Sequence, residues 1–349
     1  LIQAIAYMLK VSKKLVTEDA EAFDQPRICL LDPGIEDHDN KPSANLGDLI
    51  IQQAVFRELS YLFGHQKILN LSTHTPLEEK HFQHMQTCAV ILVGGTNLLS
   101  SNMNHYNQWK IFFRDALRLR KRVLLLGVSW WQYQGRPNLY TAGLLHLALS
   151  SSGMHSVRDN YTKSKLKSIG IWNSLNTGCP TMWPLANLSA DEIPQQKAQN
   201  VLLMLTDYAQ KPVLDRRLLE LISTHYKTVY FWPQGAGDRD YVTSFDLPVH
   251  ILDRSLSALE NFLESNLSLD YIGTRLHGGI RCLLAKRRTL ILKIDHRATE
   301  IAHETGLPSA DRDDFKLIEQ WIQEPFMTKI SINTAAVEQW RNQFALTNA

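Results

Sequence analysis

The chain has 349 residues, 44% of them hydrophobic and 21% charged, an ordinary globular composition that can bury a full core in each of two domains. Lys and Arg number 37 against 35 Asp and Glu, so a net charge of +2 leaves no chain-wide footprint for nucleic acid or an anionic membrane, and anion recognition has to be local. No apolar run reaches the roughly 18 to 20 residues that a spanning helix needs, so no transmembrane segment is expected.

Residues 1–15 read as an amphipathic helix and lack the order and cleavage pattern of a signal peptide. Beyond them, a short apolar run, a Gly- or Asn-bearing turn and a helical stretch alternate along almost the whole chain, the pattern of parallel βαβ units. Strands are expected at 27–31, 67–71, 88–93, 122–128 and 154–157, and helices at 48–63, 106–120, 139–150 and 161–169. Segment 180–199 carries Pro180, Pro184 and Pro194 without a clear period and reads as a linker. The alternation then resumes, with strands at 201–206, 228–232, 249–252, 270–272 and 289–294 and helices at 213–225, 255–265, 278–285 and 297–305. These strands are continuous apolar runs, as in sheets covered on both faces. Helical spacing at 313–323 and 332–344 completes the chain. The expected fold is α/β, two facing Rossmann-like domains over 1–185 and 196–325, with a C-terminal helix in 326–349 crossing back to the first. Cys29, Cys88, Cys179 and Cys282 are widely separated, and two lie in apolar runs, which suits a reducing cytoplasm.

In open α/β sheets ligands lie outside the carboxyl ends of the strands. Segment 269–280 is a strand, a tight turn with Arg275 and His277, and a helix opened by Gly278 and Gly279. Backbone N–H groups at such a helix start, beside a guanidinium, suit a carboxylate or phosphate. A solvated turn with glycines that only ease packing is the plainer reading. Company favours the anion site: Arg158 ends another predicted strand, and Lys293 and Arg297 flank the end of a third. Asp48 follows Gly47 at a helix start, where a carboxylate also serves the dipole alone. Gly94 and Gly95 follow a buried strand and lead to Asn97, which serves equally as a ligand or a cap. Gln234, Asp238 and Tyr241 occupy another strand-end loop, and Trp130, Trp131 and Tyr133 offer ring faces to a sugar or to the core. His74, His81 and His84 lie close in sequence without a convincing carboxylate or Cys partner, so no metal site is expected. Walker, Gly-x-Gly-x-x-Gly and nucleophile-elbow motifs are missing, against ATP or NAD use.

Taken in order, Asn45-Leu-Gly-Asp48, Gly94-Gly-Thr-Asn97, Val157-Arg-Asp159, Pro233-Gln-Gly with Asp238, and Gly273-Thr-Arg-Leu-His-Gly278 resemble the polysaccharide pyruvyltransferase family over about 45–307. The resemblance implies a GT-B-like fold and phosphoenolpyruvate as donor substrate, with no cofactor. It also implies a nucleotide-linked, lipid-linked or polymeric sugar as acceptor, in cytoplasmic synthesis of an exopolysaccharide or cell-surface glycan at the inner face of the plasma membrane. Carried over by position, Arg158, Arg275, Leu276, His277 and Gly278 hold the donor, joined by Lys293 or Arg297 where the family often has Lys. His277 is then the acid or a charged phosphate ligand. Asp48 orients the acceptor or acts as base, with Asn45, Gly47, Gly95, Asn97, Gln234 and Asp238 on the acceptor side. Two rivals share the fold: a glycosyltransferase using a nucleotide sugar, and a silent carbohydrate-binding relative. Many retaining members of the former carry two Glu eight positions apart, and no two Glu here have that spacing.

Overall fold

A computed structural model describes residues 27–345 apart from residue 65; the helix expected at 1–15 lies outside the described residues. The first sheet is parallel and ordered β2-β1-β3-β4, from β1 (Ile28–Asp32), β2 (Ile68–Ser72), β3 (Val90–Gly94) and β4 (Val123–Leu126). Helices α1 (Leu46–Phe63), α2 (Glu79–Thr87), α3 (Phe113–Leu119) and α4 (Leu139–Ala148) join these strands to one another and to β5 (His155–Val157). After α5 (Asn160–Ser168), β6 (Ser174–Asn176) pairs in parallel with β5. Gly127, at φ +64°, ends β4, and its N–H donates to Ser156 O at 3.0 Å, bringing β5 alongside.

The second sheet is also parallel, ordered β12-β11-β10-β7-β8-β9. Its strands are β7 (Asn200–Met204), β8 (Thr228–Phe231), β9 (His250–Ile251), β10 (Leu269–Gly273), β11 (Arg288–Lys293) and β12 (Ser309–Asp311). The helices between them are α6 (Pro212–His225), α7 (Asp238–Thr243), α8 (Leu256–Leu263), α9 (Leu276–Leu284) and α10 (His296–Thr305), and α11 (Phe315–Gln323) follows β12. The result is the expected GT-B-like layout of two facing α/β units.

Two expectations need correction. The helix expected from 106 starts only at Phe113, because the buried Asp115 carboxylate takes the Phe112 N–H at 2.9 Å while Lys110 N–H donates to Thr73 O at 2.8 Å in an irregular segment. The segment 180–199 is no loose linker: it forms short 3-10 turns at Trp183–Asn187 and Ala190–Glu192, and Met182, Leu185 and Ile193 are buried in the core under α9.

Helix α12 (Thr334–Asn342) returns to the first sheet, burying Val337, Trp340 and Phe344 against Ile28, Leu30 and Val55. Arg341 clamps Glu58 of α1 at 2.6 and 2.8 Å, and the Gln343 side chain exchanges two hydrogen bonds with the Met154 backbone. Glu58 is 3% exposed, so removing its partner leaves a buried carboxylate uncompensated. Arg341→Ala should cost about 2 kcal/mol, the partly exposed guanidinium reducing the usual penalty, and should lower the urea midpoint followed by Trp fluorescence; Arg341→Lys should recover part of the loss.

Candidate active site

The second sheet reverses strand order between β7 and β10, the place where an open α/β sheet receives ligands. Arg275 lies just past β10, 2% exposed, and donates through Nε to Asp238 at 3.0 Å and Leu205 O at 3.2 Å, and through a terminal nitrogen to Asp207 at 3.0 Å and again to Asp238. The fully buried Asp238 carboxylate also accepts from the N–H groups of Gln234, Gly235 and Asp207 at 3.0, 2.7 and 3.0 Å. Arg275 and Asp238, expected on the donor and acceptor sides, are thus hydrogen-bonded to each other, and through this pair Arg275 positions the turn. Tyr241 is turned away, its hydroxyl donating to buried Asp215.

Arg158 is in the opposite condition. It is wholly buried at the end of β5, and its three guanidinium nitrogens have no hydrogen-bond partner among the described residues. His277, in the first turn of α9, is 5% exposed with both ring nitrogens equally unpartnered. Burial, reinforced by the charges of Arg158 and Arg297, drives His277 well below its ordinary 6.5, so the imidazole is neutral at neutral pH. Arg297 is held by Asp295 at 3.0 and 2.5 Å and reaches Asn97 Oδ1 at 3.1 Å and the Tyr208 hydroxyl at 3.4 Å. Burial opposes its charge, but the Asp295 carboxylate outweighs that and fixes the guanidinium as a cation. Lys293 pairs instead with Asp311 of β12 at 3.0 Å, so Arg297 is the cation of this pair that lines the cleft. Leu276 packs into the core of the second unit.

The first unit supplies the facing wall. Asn45 caps α1, its Oδ1 accepting from Gly47 N–H at 3.1 Å and from Gln234 Nε2 at 3.3 Å, while Leu46 N–H donates to Gln234 O at 3.2 Å. A side chain on Gly47 would strike the Gln234 amide, so this glycine permits the two units to touch. Gly95, expected on the acceptor side, packs closely inside the unit: a Cβ there would overlap the Gly127 carbonyl. Asp48 accepts from Ser43 Oγ at 3.1 Å and Asn45 Nδ2 at 3.2 Å, and burial raises its carboxyl above the ordinary 3.8 against these bonds. Asn45, Asp48, Asn97 and Arg297 line one cavity of about 430 Å³.

The same cavity is lined by residues that sequence reasoning missed: His74, Tyr208, Asp295 and His296. His296 is 6% exposed, and its Nε2 lies 2.8 Å from Trp130 O; because a carbonyl only accepts, that nitrogen carries hydrogen. Trp130 is core, Trp131 lines the cavity stacked on Tyr106 at 3.7 Å, and Tyr133 is exposed with its hydroxyl on Glu300 at 2.5 Å. Arg158 borders instead a second cavity, of about 300 Å³, with Asn176, Trp183 and Glu304. Among the described residues no three His, Cys, Asp or Glu converge as metal ligands; His81 Nδ1 accepts from Glu78 N–H at 3.0 Å.

Residues 45–296 match the sequence model of the polysaccharide pyruvyl transferase family. No curated protein matches by sequence. Among solved structures, S. aureus MnaA with UDP aligns at a TM-score of 0.49 and 11% identity over 92% of this chain and 95% of that one. The wall teichoic acid polymerase TagF with CDPG aligns at 0.42 and 9% over 99% and 91%. Arabidopsis thaliana UGT89C1 with UDP-L-rhamnose aligns at 0.42 and 11% over 93% of each chain.

Arg275→Ala leaves Asp238 buried without its cation. The expected outcome is a loss of about 3 to 5 kcal/mol in unfolding free energy, measured by urea titration, and a smaller loss for the double variant Arg275→Met with Asp238→Leu, which removes both charges together.

Proposed function

The chain belongs to the polysaccharide pyruvyl transferase family, and on that premise we propose that it transfers the pyruvyl group of phosphoenolpyruvate to hydroxyls of a sugar, forming a pyruvate ketal in the synthesis of an exopolysaccharide or cell-surface glycan. The observation that carries this reading is Arg158: a buried guanidinium with none of its nitrogens hydrogen-bonded among the described residues is costly, and a compact anion with planar oxygens removes that cost. His277 feels the charges of both Arg158 and Arg297, so donor carboxylate and phosphate would be shared among these three groups, with the α9 N-terminus beside His277.

In the proposed reaction the donor's methylene carbon takes a proton and C2 becomes electrophilic. One sugar hydroxyl attacks C2 and gives up its proton; a second closes the ketal ring as the C2–O bond to phosphate breaks, and inorganic phosphate leaves. Asp48 takes a hydroxyl proton, a task to which its raised carboxyl is suited. His277 enters neutral and becomes a cation once the phosphate dianion offsets Arg158 and Arg297, which makes it the proton source for the methylene or for the departing phosphate. The acceptor lies in the cavity of Asn45, Asp48 and Asn97, against the Trp131 ring.

Thermal-shift titration tests the donor. Phosphoenolpyruvate at about 100 times its Kd should stabilise the fold by about 2.7 kcal/mol, and Arg158→Met should abolish the shift while folding normally; a shift with UDP and none with phosphoenolpyruvate would overturn the reading. His277 adds a second expectation. Its affinity for a proton is low in the free protein and rises beside the bound anion, so donor binding near neutral pH should take protons up, and His277→Gln should remove that uptake in calorimetry run in buffers of different ionisation heat.

A further inference from the structure

We propose that the outer face of α3, α4 and α5 is a docking surface for an anionic lipid bilayer. The near-neutral total charge conceals a strong local bias. Between Asp115 and Asp191 the chain contains one acidic residue, Asp159, and nine basic ones. Asp159 is fully buried, as is Arg158, while Arg122 and Lys165 donate to backbone carbonyls and Arg118 meets Glu79 at 2.5 Å. Arg120, Lys121, Arg136 and Lys167 remain exposed on a face with little to neutralise them.

The same face exposes large apolar side chains: Leu139 is 92% exposed, Trp172 67%, Leu117 57% and Phe112 39%. The helices that carry them form one surface. The rings of Phe113 and Tyr140 lie 4.8 Å apart, Lys121 N–H donates to Leu147 O at 2.8 Å, His146 Nε2 meets Ile169 O at 2.6 Å, and Lys167 sits 5.0 Å over the Trp172 ring. One helical layer that exposes cations, an indole and aliphatic side chains suits the headgroup boundary of a bilayer. A nucleic acid would use the charges and the indole, whereas Leu117 and Leu139 gain only where they leave water. Position agrees with function. The loop that holds Trp131 at the cavity runs directly into Leu139, so a docked membrane would lie beside the cleft opening, within reach of a lipid-linked sugar.

Co-sedimentation of the full chain with vesicles tests this without any assay of transfer, so its outcome is separate from that of the pyruvyl reading. Vesicles with phosphatidylglycerol as about one third of the lipid should bind the chain, phosphatidylcholine vesicles should not, and about 0.5 M salt should weaken binding at least about tenfold. Arg136→Glu with Lys167→Glu, and separately Leu117→Glu with Leu139→Glu, should each lower the vesicle partition at least about tenfold at unchanged melting temperature. Equal binding to phosphatidylcholine, undiminished binding by both variants, or a solution dimer that Leu117→Glu with Leu139→Glu dissolves would overturn the proposal, the last by assigning the face to a second copy of the chain.

Discussion

Asp238 gathers three backbone N–H groups and a guanidinium around one carboxylate with no access to water, and the geometry of the cleft depends on it. Through Arg275 it fixes the turn between β10 and α9, and with that turn the helix start that presents His277. Through Gln234 and Gly235 it fixes the loop after β8, whose Gln234 then reaches across to Asn45 and Leu46. A buried ion pair of this kind is weak evidence for net stability, because desolvation offsets much of the attraction. Its strength is directional: five hydrogen bonds on one carboxylate admit a single arrangement of three chain segments.

Two arginines at strand ends, indistinguishable by type and setting in the sequence, are thereby separated by their partners. Arg275 has Asp207 and Asp238; Arg158 makes no hydrogen bond among the described residues, and the adjacent Asp159, close enough to feel its charge, uses one oxygen to cap α5 through Thr162 N–H at 2.6 Å. A charge already matched inside the protein has little left to offer an incoming anion. Burial, reinforced by the nearby charges of Arg158 and Arg297, lowers the affinity of His277 for a proton. Arg297 lies between these cases, since Asp295 orients it and still leaves a terminal nitrogen directed at Asn97 across the cleft.

What the sequence disclosed follows from the range of the interactions concerned. Strand ends and helix starts are local events, so Arg158, Arg275, His277 and Asp48 could each be placed at the mouth of a sheet from apolar runs and turn residues alone. The pairing of Arg275 with Asp207 spans 68 positions and that of Arg297 with Asn97 spans 200, and neither leaves a local trace. Tyr208 and His296 were missed for the same reason: each lies just past a strand, but the contacts that tie it to the cleft, with Arg297 and Trp130, are 89 and 166 positions away, and His74 was weighed only as a metal ligand. Three-residue β6 and β12 and polar α2 escaped because periodicity needs more residues, or more apolar ones, than they contain. The glycines misled in the other direction. Gly95 is required by a carbonyl from another strand, a contact that resembles a ligand's approach when only the sequence is in view.

Net charge is the coarsest of these sequence quantities, and here it averages over regions that act separately. The acid-poor stretch of the first unit exposes cations on and beside α3 and α5 and holds Arg158 inside, so surface and interior of this region have the same sign. Exposed cations are screened within a Debye length of roughly 8 to 10 Å, and they act on whatever surface comes close. Buried Arg158 is screened far less and acts on whatever enters the cleft. On the two proposals made above, one compositional feature, the near loss of Asp and Glu over some seventy residues, would serve two anionic partners of different size: a small one inside the protein, and an extended one on the outside of the helices that cover the first sheet.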